Sequence, residues 1–332
     1  MKTHKFKLVF LFVFLLCTLI SCKKDKDDEN KFRIVAEKNY YNSSKEGEAT
    51  FDYLDNKISE YRYDEDENNY EVAAFDYSEK DKIYVEYTRY EEGEEYRGEM
   101  EVTLEDGKII EYIEENNERF TITYNGSDQV EEFKTYFDDG SGWTLSSTIT
   151  FDYEGSKLMK TLYEETEGTN YRDVYSYDGD NVDEIISAYY DGDSWIEEYK
   201  EVYSYTSGKV TKIVSYYKYE DVWDKDEYTE FTYDENGNLA ESSEIDEEYG
   251  DEYATEYTYE KGSGNYNLIF GNFYFNDYGM VDYPMPVKSA LRDGDLSGIQ
   301  NIISLCRPLK NHRGLTGIHG MHSNRSLTGR NK

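Results

Sequence analysis

The sequence predicts an all-β chain, an antiparallel meander of about nine β-hairpin repeats forming a curved single sheet or a soluble cylinder. Three observations predict it. An aromatic–x–aromatic motif recurs along the chain, a short polar turn follows it, and an aliphatic residue closes each copy five or six positions after the motif.

The copies run in order. FDYLDNKI (51–58) and FDYSEKDKI (75–83) open the series, followed by VTLEDGKI (102–109) and ITYNGSDQV (122–130). FDYEGSKL (151–158), YSYDGDNV (175–182) and YSYTSGKV (203–210) come next. FTYDENGNL (231–239) and a degenerate YTYEKGSGNYNL (257–268) complete it. The anchor position is Tyr53, Tyr77, Leu104, Tyr124, Tyr153, Tyr177, Tyr205, Tyr233 and Tyr259, at intervals of 20 to 29 residues. Such spacing belongs to repeat architectures.

Inside a copy the side chains alternate with period two. Ile149, Phe151 and Tyr153 share one face, and Thr148, Thr150 and Asp152 the other. Val, Ile, Thr, Tyr and Phe supply β-propensity, while Gly, Asn, Asp and Ser supply turns. Connections such as FDDGSGWTL (137–145) and YDGDSWIEE (190–198) then turn the chain back. No segment carries a helical period.

The motif YxYDxxGxL resembles the tyrosine–aspartate repeat of the Rhs/YD class. It is more similar still to Tyr-rich repeat lipoproteins of the Bacteroidota, the DUF4595-type family. Gly262 to Lys288 resembles that family's closing segment. The resemblance implies a porin-like antiparallel β fold and brings no established activity.

The N-terminus is an address. Lys2, Lys5 and Lys7 precede an apolar run from Leu8 to Ile20, too short to span a bilayer comfortably. The tetrapeptide LISC (19–22) resembles the lipobox of bacterial lipoproteins, which implies lipidation of Cys22. Two or three acyl chains there anchor a protein stably, where one does not. KKDKDDEN (23–30) resembles a surface-export tether. The expected organisation is a lipoprotein signal peptide (1–21), a lipidated, disordered tether (22–45), the repeat domain (46–287) and a basic, disordered tail (288–332). The address is the outer membrane, facing the cell surface.

Composition excludes several functions. The 332 residues hold 37 Tyr and 15 Phe, with 72 acidic and 36 basic residues, for a net charge of −36. Residues 23–287 carry roughly −45 and the tail after Val287 roughly +6. Nucleic-acid binding needs Lys and Arg on the phosphates, so it is excluded. Of the three cysteines, Cys17 lies in the signal and Cys22 is claimed by the lipid, leaving Cys306 without a disulfide partner. His4 is in the signal and His312, His319 and His322 are in the tail. The body therefore lacks Ser–His–Asp, Cys–His and ordinary zinc chemistry. No catalytic residue, metal ligand or cofactor is expected.

Two features invite a binding reading. Asp234, Asn236 and Asn238 alternate around Gly237 as oxygen ligands do in a calcium loop. An EF-hand requires a glutamate at its twelfth position, which here is Ile245, and sibling turns lose the acids. The acidic field is expected to attract divalent cations only weakly and without specificity. Trp143, Trp195 and Trp223 occupy similar places in three of the looser connections. They are candidate contacts for a glycan along one rim, or local caps over their own hairpins. The expected role is a non-enzymatic binding or structural module for a polysaccharide or protein ligand. Glycan binding through the Trp rim is the alternative. A carboxylate-pair glycoside hydrolase ranks third.

Overall fold

The computed structural model describes residues 32–264, except 67, 92, 115–116, 167 and 248, together with the backbone of a short pair at 275–276 and 279–280. The signal, Cys22 and the basic tail lie outside the described residues.

Eighteen strands follow one another. They are β1 (Phe32–Tyr41), β2 (Ser44–Leu54), β3 (Lys57–Asp64), β4 (Tyr70–Asp76), β5 (Lys82–Glu91), β6 (Glu94–Glu105), β7 (Lys108–Glu114), β8 (Glu118–Tyr124) and β9 (Val130–Asp138). The second half comprises β10 (Trp143–Glu154), β11 (Lys157–Glu165), β12 (Tyr171–Asp178), β13 (Asn181–Tyr190), β14 (Trp195–Thr206), β15 (Lys209–Tyr219), β16 (Val222–Tyr233), β17 (Leu239–Asp246) and β18 (Asp251–Lys261). Each pairs antiparallel with its sequence neighbours, and β18 pairs back onto β1. The meander thus closes into a barrel rather than remaining an open curved sheet. Closure removes both sheet edges.

The closing strand corrects the domain boundary. Residues 32–45, expected in the tether, hold β1 and the start of β2, and β1 fills the gap between β18 and β2. Ile34 pairs with Tyr259 as Ile58 pairs with Tyr53 and Val210 with Tyr205. The ninth hairpin is therefore split: its first strand comes from the end of the repeat body and its second from the start. The aromatic motif and turn of this hairpin's first strand lie more than two hundred positions after Ile34 in the sequence.

One face of the sheet is buried, and it is the inside. A single apolar cluster draws on every strand from β1 to β18. Its regular layer is the aliphatic residue after each turn, from Ile58, Ile83 and Ile109 round to Val210 and Leu239, completed by Ile34. Many inner side chains, Tyr112 and Ile213 among them, have zero exposure, so no water-sized space lies against them. Porins of similar strand number keep a water-filled channel. Here aromatic side chains pack the inner face.

Strict alternation explains only part of this. Leu158 and Thr161 are both buried, as are Val182 with Ile185 and Val210 with Ile213, each pair three residues apart. A register shift beside the anchor makes that geometry. The extra residue, Thr211 in β15, bulges so that Val210 and Ile213 both turn inward. In the β4–β5 hairpin the pairing shows no such shift, and the buried pair Ile83 and Val85 has the ordinary spacing of two.

The anchor tyrosines tie hairpin to hairpin. The Tyr177 hydroxyl donates to the Leu158 carbonyl at 2.8 Å, and Tyr205 donates to Val182 at 2.9 Å. Tyr233 does so to Val210 at 2.7 Å, and Tyr53 to Ile34 at 2.8 Å. A cation of the preceding hairpin lies over several of these rings, including Lys157 over Tyr177 at 5.1 Å and Arg33 over Tyr53 at 4.3 Å. Each tyrosine thus satisfies a carbonyl that the sheet ladder leaves at the bulge. Tyr177→Phe is expected to cost about 1 kcal/mol in urea denaturation. An unchanged midpoint and slope would show that this hydroxyl holds nothing.

The outer face is wet. Lys212 pairs with Glu230 at 2.8 Å, Lys218 with Glu197 at 2.9 Å and Lys134 with Glu132 at 2.6 Å. A lipid-facing wall needs apolar rows about ten residues long. On this wall charged pairs interrupt such rows.

Candidate functional site

The barrel has two unlike rims. The turns inside the repeats define the hairpin rim. The connections between repeats, from 42–43 to 247–250, define the return rim. β1 begins and β18 ends at the hairpin rim, where Phe32 stands opposite Lys261.

Exposed apolar groups collect at the return rim. Among the described residues, eleven large apolar side chains are exposed, and nine lie within three positions of a return connection. Tyr219 is 68% exposed, Val222 58% and Tyr249 74%, whereas inner tyrosines are sealed. Tyr219 and Val222 flank the two-residue turn Glu220–Asp221, held at φ 46° and 65°. Left-handed backbone at two non-glycine residues is a strained choice for a turn. It projects an aromatic–acid–acid–aliphatic tip.

Charge divides the same way. The described residues of the return connections include eight Asp or Glu and no Lys or Arg: Glu65, Asp66, Asp139, Asp191, Asp193, Glu220, Asp221 and Glu247. The hairpin turns carry acids as well, but Lys57, Lys82, Lys108, Lys157 and Lys209 each begin the strand that follows. No strand after a return connection begins with a cation. The barrel is therefore polarised along its axis.

The three tryptophans stand at the return rim, on the first or second residue of β10, β14 and β16. Trp195 packs across its own hairpin on Tyr190, ring centroids 5.4 Å apart, with Arg172 at 4.6 Å from the indole. Trp223 lies under Lys200 at 4.9 Å and Lys218 at 5.3 Å. Trp143 is 38% exposed and one hairpin removed from the other two. The three share a rim without forming one contiguous platform. Sequence reading picked out the tryptophans and missed Tyr219 and Tyr249. Their signal was available: both stand next to acids in connections of the same class as those of the tryptophans.

Acidic turns organise themselves. Asp234 Oδ1 accepts the backbone N–H groups of Asn236 at 2.9 Å and Asn238 at 2.7 Å, and its Oδ2 accepts the Asn238 amide at 2.8 Å. Asp138 and Asp191 accept N–H groups in the return connections likewise. These oxygens shape the backbone, and the same bonds hold the Asp234 and Asp191 carboxyls below the usual range. Among the described residues no group of three or more His, Cys, Asp or Glu is arranged for a metal ion.

Other carboxyls are inside. Asp173 is 6% exposed and accepts hydroxyls from Thr161 at 3.0 Å and Ser187 at 2.7 Å. Burial pushes it up to about 7, and the two hydroxyls only partly oppose that. Glu201 is 1% exposed and takes the Tyr203 hydroxyl at 2.5 Å. A row of small hydroxyl side chains, including Ser215, Thr229, Ser242 and Thr255, runs through the same half of the interior.

No family model and no curated protein matches the chain. Solved structures do. A porin-like protein from Bacteroides uniformis ATCC 8492 is 13% identical, covers 70% of this chain and 98% of its own, and has a TM-score of 0.40. A porin-like protein from Bacteroides vulgatus ATCC 8482 is 12% identical, with coverage of 68% and 98% and a TM-score of 0.36. A protein of unknown function from Bacteroides fragilis NCTC 9343 is 12% identical, with coverage of 44% and 91% and a TM-score of 0.20.

Proposed function

We propose that the chain is an outer-membrane lipoprotein, held through Cys22, whose barrel presents the return rim to ligands at the cell surface without catalysing a reaction. The observation that carries this is polarity. The chain enters the barrel at Phe32 on the hairpin rim, while the exposed aromatics lie at the other end. Nine residues lie between Cys22 and Phe32, so the ten Cα–Cα steps reach at most about 35 Å. A tether of that length favours holding the hairpin rim towards the membrane and the return rim away from it. The lysines behind the hairpin turns suit an anionic bilayer better than the purely acidic return connections do. The lipobox and the likeness of the repeats to Bacteroidota lipoproteins support the same address.

The test uses intact cells. Labelled palmitate is expected to enter the wild-type protein and not Cys22→Ala. External protease is expected to cut return connections, such as 247–250, before hairpin turns. Palmitate labelling that survives in Cys22→Ala, or cleavage that begins at the hairpin rim, would remove the reading.

A further inference from the structure

The barrel supplies cations to several of its own aromatic rings. Lys57 lies over Tyr77 at 4.5 Å, Lys209 over Tyr233 at 4.7 Å, and Lys212 over Tyr228 at 3.5 Å. The arrangement couples a ring face to a cation, with carboxylates close by: Lys212 also pairs with Glu230. A cation over a ring contributes about 0.5–1 kcal/mol when exposed and about 2 when desolvated.

At two places on the return rim, away from Trp195 and Trp223, an exposed ring stands beside acids with no cation over it. Tyr219 adjoins Glu220 and Asp221, and Tyr249 follows Glu247 by two positions. Both rings are exposed, and among the described residues no Lys or Arg lies over either. Glu247 already pairs with Lys225 at 2.6 Å, so the carboxylates free to meet a cation are Glu220 and Asp221, beside the Tyr219 ring.

We propose that the return rim docks a Lys/Arg-rich polypeptide segment of a partner protein, with Tyr219 and Tyr249 taking guanidinium or ammonium groups on their faces. This rests on the reading of that rim as the ligand face and adds the chemistry of the ligand. Charge decides among occupants. A second copy would bring an equally acidic rim, and like charges face to face are unfavourable. Nucleic acids, anionic glycans and anionic bilayers are repelled for the same reason. A neutral glycan would use the rings and leave the acids without a purpose. An arginine-rich segment uses both.

The acylated full-length protein, in non-ionic detergent at about 0.15 M salt, is titrated with a fluorescent peptide alternating Arg and Ser, and separately with a neutral glucose hexasaccharide. Thermal melts first establish that each variant is folded. Binding of the peptide is expected to weaken about tenfold in Tyr219→Ser/Tyr249→Ser. A similar loss is expected in Glu220→Gln/Asp221→Asn. The control removes two acids from the hairpin rim, Asp55→Asn/Asp106→Asn, and is expected to stay within about twofold, since exposed charges a barrel length away are screened. Equal weakening by the control set would reduce the effect to the diffuse field of the acidic protein and overturn the proposal. Failure of the wild-type protein to bind the peptide would do the same. So would hexasaccharide binding that the Tyr pair abolishes while peptide binding is untouched. None of these results bears on Cys22 labelling or protease order, so the anchoring reading stands or falls separately.

Discussion

Deleting residues 32–41 is expected to abolish the cooperative thermal transition and drive the protein into aggregates on size-exclusion chromatography. β1 is the strand that makes the sheet endless. It pairs along most of its length with both β2 and β18 and contributes Ile34 to the core layer. Without it, β2 and β18 become free edges of eleven residues each. Long free edges template pairing with other chains. The Tyr53 hydroxyl loses the Ile34 carbonyl, and its ring loses Arg33. A milder full-length variant tests the same closure. Ile34→Ala is expected to cost about 2–5 kcal/mol, as large-to-small core changes do. If the shortened chain melts cooperatively within a few degrees of the parent, then β18 and β2 can join directly and β1 is dispensable.

The second large effect concerns pH. Asp173 is pushed up to about 7 in the folded barrel. In the unfolded chain an aspartate titrates near its ordinary value of about 3.9. A carboxyl raised on folding favours the folded state while it is protonated in both states. That contribution is present below about pH 4 and drains away as the pH rises through about 7. The full difference is roughly 4 kcal/mol. Asp173→Asn keeps the shape, cannot ionise, and can donate to Thr161 and Ser187. Its stability is expected to match the parent near pH 4 and to exceed it by a few kcal/mol at pH 8, read from urea denaturation at each pH. Part of the pH slope should persist in the variant, because burial also pushes Glu71 up to about 7, with Arg89 pulling it back. Parallel curves for parent and variant from pH 4 to 8 would show that Asp173 carries no buried charge.

Much of this fold was legible because the repeat unit is the structural unit. The anchor tyrosine and the aliphatic residue after the turn mark one hairpin each, and the nine aliphatic positions, counting Ile34, form one buried layer. The turns were legible for a local reason: Asp, Asn, Gly and Ser hold left-handed backbone at 55–56, 106–107 and 207–208. Three things escaped. β1 could be recognised only through β18, from which it is separated by the whole domain. The bulge breaks strict alternation, so the burial of both Val210 and Ile213 follows from the pairing and not from period two. The burial of Glu201 depends on Tyr203 and on the far side of the interior. At the candidate rim, the tryptophans drew attention by rarity. Tyr219 and Tyr249 were hidden among so many other tyrosines, and only their exposure separates them from the sealed ones.

The split ninth hairpin also sets an order of events. Arg33 and Glu260, which bond across the seam, are 227 positions apart. Contacts so distant in sequence are slow to form, because the loop between them must be closed first. The earlier hairpins are local and can form as soon as they emerge, but the seam must wait for β18. A chain emerging N-terminus first therefore carries an unmatched leading strand until nearly all of the described barrel has been made. Folding cannot finish ahead of synthesis, and the sheet keeps an open seam until its last strand arrives.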